Sequence, residues 1–266
     1  MKAASGSGVA FPLLFSLASF FFFHSPFTLY IYNVKYLSLA IFALLFLSSC
    51  EDKTEQDPAD TESKILYRYF PLQEGAFVVY HVDSIIHSFA DDNLDNPDSL
   101  IDTISYEVKE VIDSDFIDGE GDVAWRISRY QRAIGTLDWY FTTLWTAKLT
   151  SQSAQKVEEN IRYVKLSFPI KKNKTWNGNL FNFFPEEDYS IEEANVPLTI
   201  GGFNFDSCVS VLELDDSVAI HKIYKQEKYV YGLGLVYRQR DSLNIENYKI
   251  LNGIEFRQSI IDYSPR

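Results

Sequence analysis

From residue 65 onward the chain alternates polar and apolar side chains with a period of two. Ile104, Tyr106, Val108 and Ile112 fall on one side of an extended segment, with Ser105, Glu107 and Lys109 on the other. Val164, Leu166 and Phe168 repeat the pattern, as do Ile254, Phe256 and Ile260. Successive side chains of a strand point to opposite faces, so this spacing demands strands with one wet and one dry face. Such half-polar strands belong to antiparallel sheets. Turn signals separate the runs. These are the polar loop around Asp91, Asp92, Asp95 and Asp98, the segment Asp118-Gly119-Glu120-Gly121-Asp122, the pair Gly201-Gly202, and Asn252-Gly253 as a type I′ hairpin signal. Lys172-Asn173-Lys174 and Asn177-Gly178-Asn179 bracket Trp176. Only Ser151 to Asn160 offers even a short helix. The expected fold is mainly β: a single antiparallel, strongly curved sheet or partial barrel with little helix.

Two segments bear on what such a sheet could do. Tyr229, Tyr231, Leu233, Leu235 and Tyr237 line one face of a strand, with Gly232 and Gly234 on the other. Two glycines on one face predict a backbone bend or a close approach by another element. A dinucleotide loop is excluded because Tyr237 stands where its third glycine belongs. Trp139, Phe141 and Trp145 share a face by the same spacing, with Tyr140 and Leu144 opposite. A strand apolar on both faces is central in a core or lines a cavity, so these three residues are the candidate ligand wall.

The N-terminal part obeys other rules. Leu44 to Leu47 closes an apolar run, Ser48 and Ser49 follow, and Cys50 precedes Glu51-Asp52. Lys35 as a basic n-region, a short apolar core and small residues before a cysteine make a lipoprotein signal, with Cys50 acylated after cleavage. Residues 1–49 are then leader. A start near Val34 would give a signal of ordinary length, the alternative being a double hydrophobic leader. Residues 50–64, acidic and without an apolar side chain larger than Ala59, predict a disordered tether, and 65–266 the β domain. Removing 49 of 266 residues leaves 217, ample for one core. Lys2 and Lys35 are the only charges in residues 1–50, so the mature chain holds 22 basic and 37 acidic residues, a net charge of −15. That excludes nucleic acid as a partner and adsorption on anionic lipid, leaving attachment to the acyl chains. Cys208 is then the one thiol left, read as a buried small hydrophobe.

Signs of chemistry are thin. Asp113, Asp115, Asp118, Glu120 and Asp122 miss the EF-hand pattern, since Asp118 holds its glycine position and Ala124 its glutamate. His81, His87 and His221 lack a zinc-like spacing, and neither a serine nucleophile elbow nor His-Glu-x-x-His occurs. Neither metal nor cofactor is expected. A glycan hydrolase using acids such as Glu186, Glu187 and Asp188 is a weak alternative.

Four segments in order resemble a group of uncharacterised Bacteroidetes-type outer-membrane lipoproteins. They are Tyr69-Phe70-Pro71-Leu72-Gln73-Glu74-Gly75, Phe168-Pro169-Ile170 with Thr175-Trp176-Asn177-Gly178, Phe205 to Val211, and Tyr231 to Tyr237. That group looks akin to periplasmic lipoprotein carriers of the LolA/LolB type. The resemblance implies a curved sheet around an apolar cavity, an envelope location, no catalytic residues, and Glu51-Asp52 as an export cue interrupted by Lys53. The functional expectation is a non-catalytic membrane-anchored protein binding an apolar or amphipathic ligand, or one docking an envelope protein.

Overall fold

The computed structural model of the chain describes residues 67–89 and 99–264. Cys50, the tether and the Asp91–Asp98 loop lie outside the described residues. Twelve strands follow in order: β1 (Phe77–Phe89), β2 (Ser99–Ile117), β3 (Val123–Ala133), β4 (Tyr140–Leu149), β5 (Ser153–Glu158), β6 (Ile161–Ser167), β7 (Thr175–Asn177), β8 (Asp188–Ile200), β9 (Phe203–Val218), β10 (His221–Val230), β11 (Gly234–Glu246) and β12 (Lys249–Tyr263). The expected class is realised as one antiparallel sheet of order β6-β5-β4-β3-β2-β1-β12-β11-β10-β9-β8-β7. The only helical piece described is one 3-10 turn, Tyr67–Tyr69.

The sheet curls until its edges meet. The Val164 N–H donates to Gly178 O at 2.9 Å. The Trp176 indole donates to Val164 O at 2.8 Å and the Asn182 amide to Arg162 O at 3.0 Å. A few bonds thus replace a ladder between β6 and β7 and leave a nearly closed barrel with no free long edge. The entering chain caps one end: Tyr67 packs edge-on to Phe168, Phe70 lies on Tyr229, and the Tyr69 hydroxyl donates to Asn195 at 2.6 Å. Behind this cap Ile112, Trp145, Leu166, Ile191, Val209 and Val211 form a dry core.

Turn chemistry explains several joints. Glu159-Asn160, Gly201-Gly202 and Asn247-Tyr248 each hold two consecutive positive φ values, the type I′ geometry that matches strand twist. The segment Ser151 to Asn160, read as a turn or one short helix, is β5 with its flanking turns, paired with β4 and β6. Asn252-Gly253 is not a hairpin turn either. It lies inside β12, where Gly253 faces Leu243. A Cβ at Gly253 would come within 2.2 Å of Ser242 O at φ 134°, so glycine is there for a close approach. The run Tyr229 to Tyr237 is likewise two strands: β10 ends at Val230, β11 begins at Gly234, and both Gly232 and Gly234 adopt positive φ where the hairpin reverses.

Candidate functional site

Strand register defines the inner face. From β2 across β1 and β12 to β11, Tyr106, Val82, Gln258 and Arg238 stand side by side, and β10 adds Glu227. One step further out come Ile104, Ser84, Phe256, Arg240 and Lys225, and beyond them Asp102, Ile86, Ile254, Ser242 and Ile223. Side chains two apart share a face, so these three rows are successive layers of one concave surface.

The innermost of these layers is ionic. Lys165 on β6 donates to Glu213 on β9 and Glu227 on β10, each at 2.9 Å. Arg238 on β11 spans to Glu158 on β5 at 2.6 Å and also holds Glu227 at 2.7 Å. Lys156 binds Glu110 at 2.9 Å, and Arg129 binds the same carboxylate at 3.1 Å. The bonds of Lys165 to Glu213 and Glu227, of Arg238 to Glu158 and of Lys156 to Glu110 join strands that are not neighbours in the sheet, so they cross the lumen, whereas Arg238–Glu227 and Arg129–Glu110 link directly paired strands. All three residues of the central triad, Lys165, Glu213 and Glu227, are at most 1% exposed. Burial would raise the Glu158 pKa, but Arg238, Lys165 and Lys156 hold it well below the usual carboxylate range. Glu227 is held down in the same way by Arg238 and Lys165. Burial opposes the charge on Lys165 too, yet Glu158, Glu213 and Glu227 raise its pKa above that of a free lysine. The Tyr229 hydroxyl donates to Glu227, and burial together with that carboxylate keeps the phenol protonated. The lattice therefore holds fixed charges, with every carboxylate given a cationic partner.

Little space remains within the barrel. A cavity of about 50 Å³ lies between the cap and Lys156, lined by Phe70, Leu72, Tyr80, Ile127 and Leu235. The mouth is larger, about 420 Å³, and is framed by Tyr163, Phe184, Glu186, Glu187, Lys225 and Arg240. Here Arg240 reaches Glu213 at 3.1 Å and Glu227 at 3.5 Å, while Lys225 binds Glu187 at 2.9 Å.

Beyond the mouth the long strands overhang. Their convex face carries an ion belt in which Asp241 pairs with Lys222 at 2.8 Å and with Arg257, and Glu255 pairs with Arg257 at 3.0 Å and His87 at 2.9 Å. Their concave face carries Ile86, Ile104, Ile223, Ile254 and Phe256. Ile104 and Ile254 are each 49% exposed. This concave face is mixed, with Ser84, Asp102 and Ser242 set among the apolar residues, and two of its isoleucines stand half exposed where solvent alone would select polar side chains.

The three candidate wall residues are not brought together. A bulge on β4 skips Thr142, pairing Phe141 with Tyr130 on the outer face while Trp145 pairs with Ile127 on the inner one. Phe141 is 56% exposed and Trp145 only 4%. Trp139 precedes the strand, with the Arg132 guanidinium 4.3 Å from its ring centre. Trp145 instead serves the lattice. Arg129 lies 3.7 Å and Lys156 4.6 Å from its ring centre, and its indole donates to Glu159 at 3.1 Å. Asp118, Glu120 and Asp122 do converge at the β2–β3 turn, but around the Lys148 ammonium, 2.8 Å from Asp118 and 2.9 Å from Asp122. Cys208 is buried in β9, where loss of solvent pushes its thiol up to about 11. Alternation does mark the inner rows of β1, β2 and β12. The lattice could not be foreseen, because its acids and bases look like ordinary wet-face residues.

No family model and no curated protein matches the chain. Among solved structures it is similar to a candidate lipoprotein from Parabacteroides distasonis, at 12% identity over 74% of this chain and 98% of that one, with a TM-score of 0.39. It is similar to the same degree to a candidate exported protein of Bacteroides fragilis with a YmcC-like fold, at 12% identity over 73% of this chain and 98% of that one, TM-score 0.39.

Proposed function

We propose that the protein is a non-catalytic cell-envelope lipoprotein, held at the outer membrane by acylated Cys50, whose overhanging sheet receives the apolar part of an amphipathic ligand. The observation that carries this is the concave face on which Ile104 and Ile254 stand half exposed beside part-buried Ile86, Ile223 and Phe256, next to a mouth of about 420 Å³. The ligand's apolar part then lies on the overhang and its polar end in the mouth. The barrel itself is an unsuitable receptacle, being filled by core and lattice around a cavity of about 50 Å³.

The test is titration of the mature chain with the apolar fluorophore N-phenyl-1-naphthylamine. Each half-exposed isoleucine that becomes covered contributes roughly 1 kcal/mol, so Ile104→Asn with Ile254→Asp weakens binding by about tenfold or more. Unchanged affinity in that double variant refutes the site.

A second reading, docking of an envelope protein, rests on the loop between β7 and β8. There Leu180 is 61% and Phe183 81% exposed. Polar Asn179 is turned inward, donating to Pro185 O at 2.7 Å and accepting from Asn182 at 3.0 Å. Capture of a single envelope protein that Phe183→Ser abolishes, with fluorophore binding absent, would favour this reading.

A further inference from the structure

Resting on that reading, we infer that the mouth selects an amphiphile with a neutral polyhydroxyl head, a sugar, over one with an acidic head. The argument is one of charge balance and wall chemistry. Two cations face the mouth, and both are already matched: Arg240 by Glu213 at 3.1 Å and Glu227 at 3.5 Å, Lys225 by Glu187 at 2.9 and 3.2 Å. Glu186 also lines the mouth; it is exposed and carries no ion pair. An incoming carboxylate or phosphate would have to displace Glu187 from Lys225 or Glu213 from Arg240. It would also meet the unmatched charge of Glu186, so its own desolvation would go uncompensated.

A hydroxylated ring meets no such conflict. Its hydroxyls donate to Glu186 and Glu187 and accept from the outer N–H groups of Lys225 and Arg240, charge-assisted bonds that are the stronger kind. Its C–H faces lie against the aromatic side chains that line the mouth, Tyr163 on β6 and Phe184 on the β7–β8 loop. Aromatic planes beside a mixed set of donors and acceptors fit an amphipathic ring better than a compact ion. The mouth opens directly onto the row of Phe256 and Ile104, followed by that of Ile254 and Ile86. A head seated there therefore places its chain on the apolar face.

The experiment uses three ligands that share an eight-carbon chain and differ only in the head: octyl β-glucoside, octanoate and octanol. Each is titrated calorimetrically below its aggregation threshold into the mature chain carrying Cys50→Ser, so that no acyl chain of its own competes. The expected result is octyl glucoside binding about tenfold more tightly than either of the others, the yield of one or two charge-assisted hydrogen bonds. Glu186→Gln with Phe184→Ala, both exposed positions, should remove the advantage of the glucoside over octanol. Equal binding of all three overturns the sugar inference while leaving the apolar face intact. Preference for octanoate overturns it in favour of an acidic head. Failure of all three to bind overturns the amphipathic-ligand reading itself, and the sugar inference with it.

Discussion

Replacing Lys165 by methionine tests the ionic lattice at its least exposed point. The ammonium is bonded at 2.9 Å to both Glu213 and Glu227, and all three residues are essentially without solvent. Methionine keeps the volume of the stem and removes the charge. The two carboxylates are not equally harmed. Glu227 retains Arg238 at 2.7 Å and the Tyr229 hydroxyl, whereas Glu213 keeps only Arg240, at 3.1 Å and without hydrogen-bond alignment on that oxygen. Removing one partner of a buried pair costs about 3–5 kcal/mol, roughly a fifth or more of the stability of an ordinary domain. The cost falls on Glu213, a buried charge left with Arg240 alone, and acid relieves such a charge, so the variant's loss should shrink between pH 7 and pH 5. The wild type behaves oppositely: Glu158 and Glu227 are depressed on folding, so their contribution is complete above about pH 5 and lost only as pH falls below about 4. Urea unfolding followed by near-ultraviolet circular dichroism at pH 5, 6 and 7 measures both. Adding Glu213→Gln to Lys165→Met should restore most of the loss at pH 7. A loss that stays constant from pH 5 to 7, or that Glu213→Gln leaves untouched, would show that the lysine acts through packing and refute the electrostatic account.

Two further outcomes follow from local geometry. Gly253→Ala forces a Cβ to 2.2 Å from Ser242 O and 2.8 Å from Leu243 Cα at a positive φ, and should lower stability by at least about 1–3 kcal/mol in thermal unfolding; a shift within error would mean that the β11–β12 pairing slides to make room. Cys208, buried with its thiol pushed up to about 11, should resist a soluble disulfide reagent at pH 8 until denaturant is added. Stoichiometric labelling of the folded chain would place it at the surface instead.

The sheet was legible because alternation is a local signal. The site was harder to read, for reasons that individual residues make plain. Trp139, Phe141 and Trp145 keep their odd-numbered spacing, but the skipped Thr142 turns Phe141 outward and leaves Trp145 inward, and no local residue type marks the bulge. Asn252-Gly253 carries the composition of a type I′ turn, yet the reversal occurs at Asn247-Tyr248, where positive φ is imposed by pairing on both sides. Gly232 and Gly234 reveal a special backbone, but not whether a strand bends there or ends. Lys165, Glu213 and Glu227 alternate with Val164, Leu166 and Leu212 as solvent-facing residues do. Only closure of β6 onto β7 turns that face inward, and closure depends on the pairing of residues far apart in sequence.

That inversion explains where a ligand could go. In a barrel with an apolar lumen, a hydrocarbon chain entering at the mouth gains at every step toward the floor. Here the lattice lies across that path, between the dry core under the cap and the apolar overhang. A chain passing it would have to part Lys165 from Glu227 and Arg238 from Glu158, leaving buried charges unpaired at several kcal/mol each. The same pairs draw β5 and β6 toward β9, β10 and β11, so the feature that completes the barrel also closes it to apolar guests. On the concave side, exposed apolar surface then lies on the strands that outrun the lattice, at Ile104 and Ile254. Binding on that face with a polar end at Arg240 and Lys225 leaves every lattice bond intact, so occupancy should change neither the fold nor its acid stability.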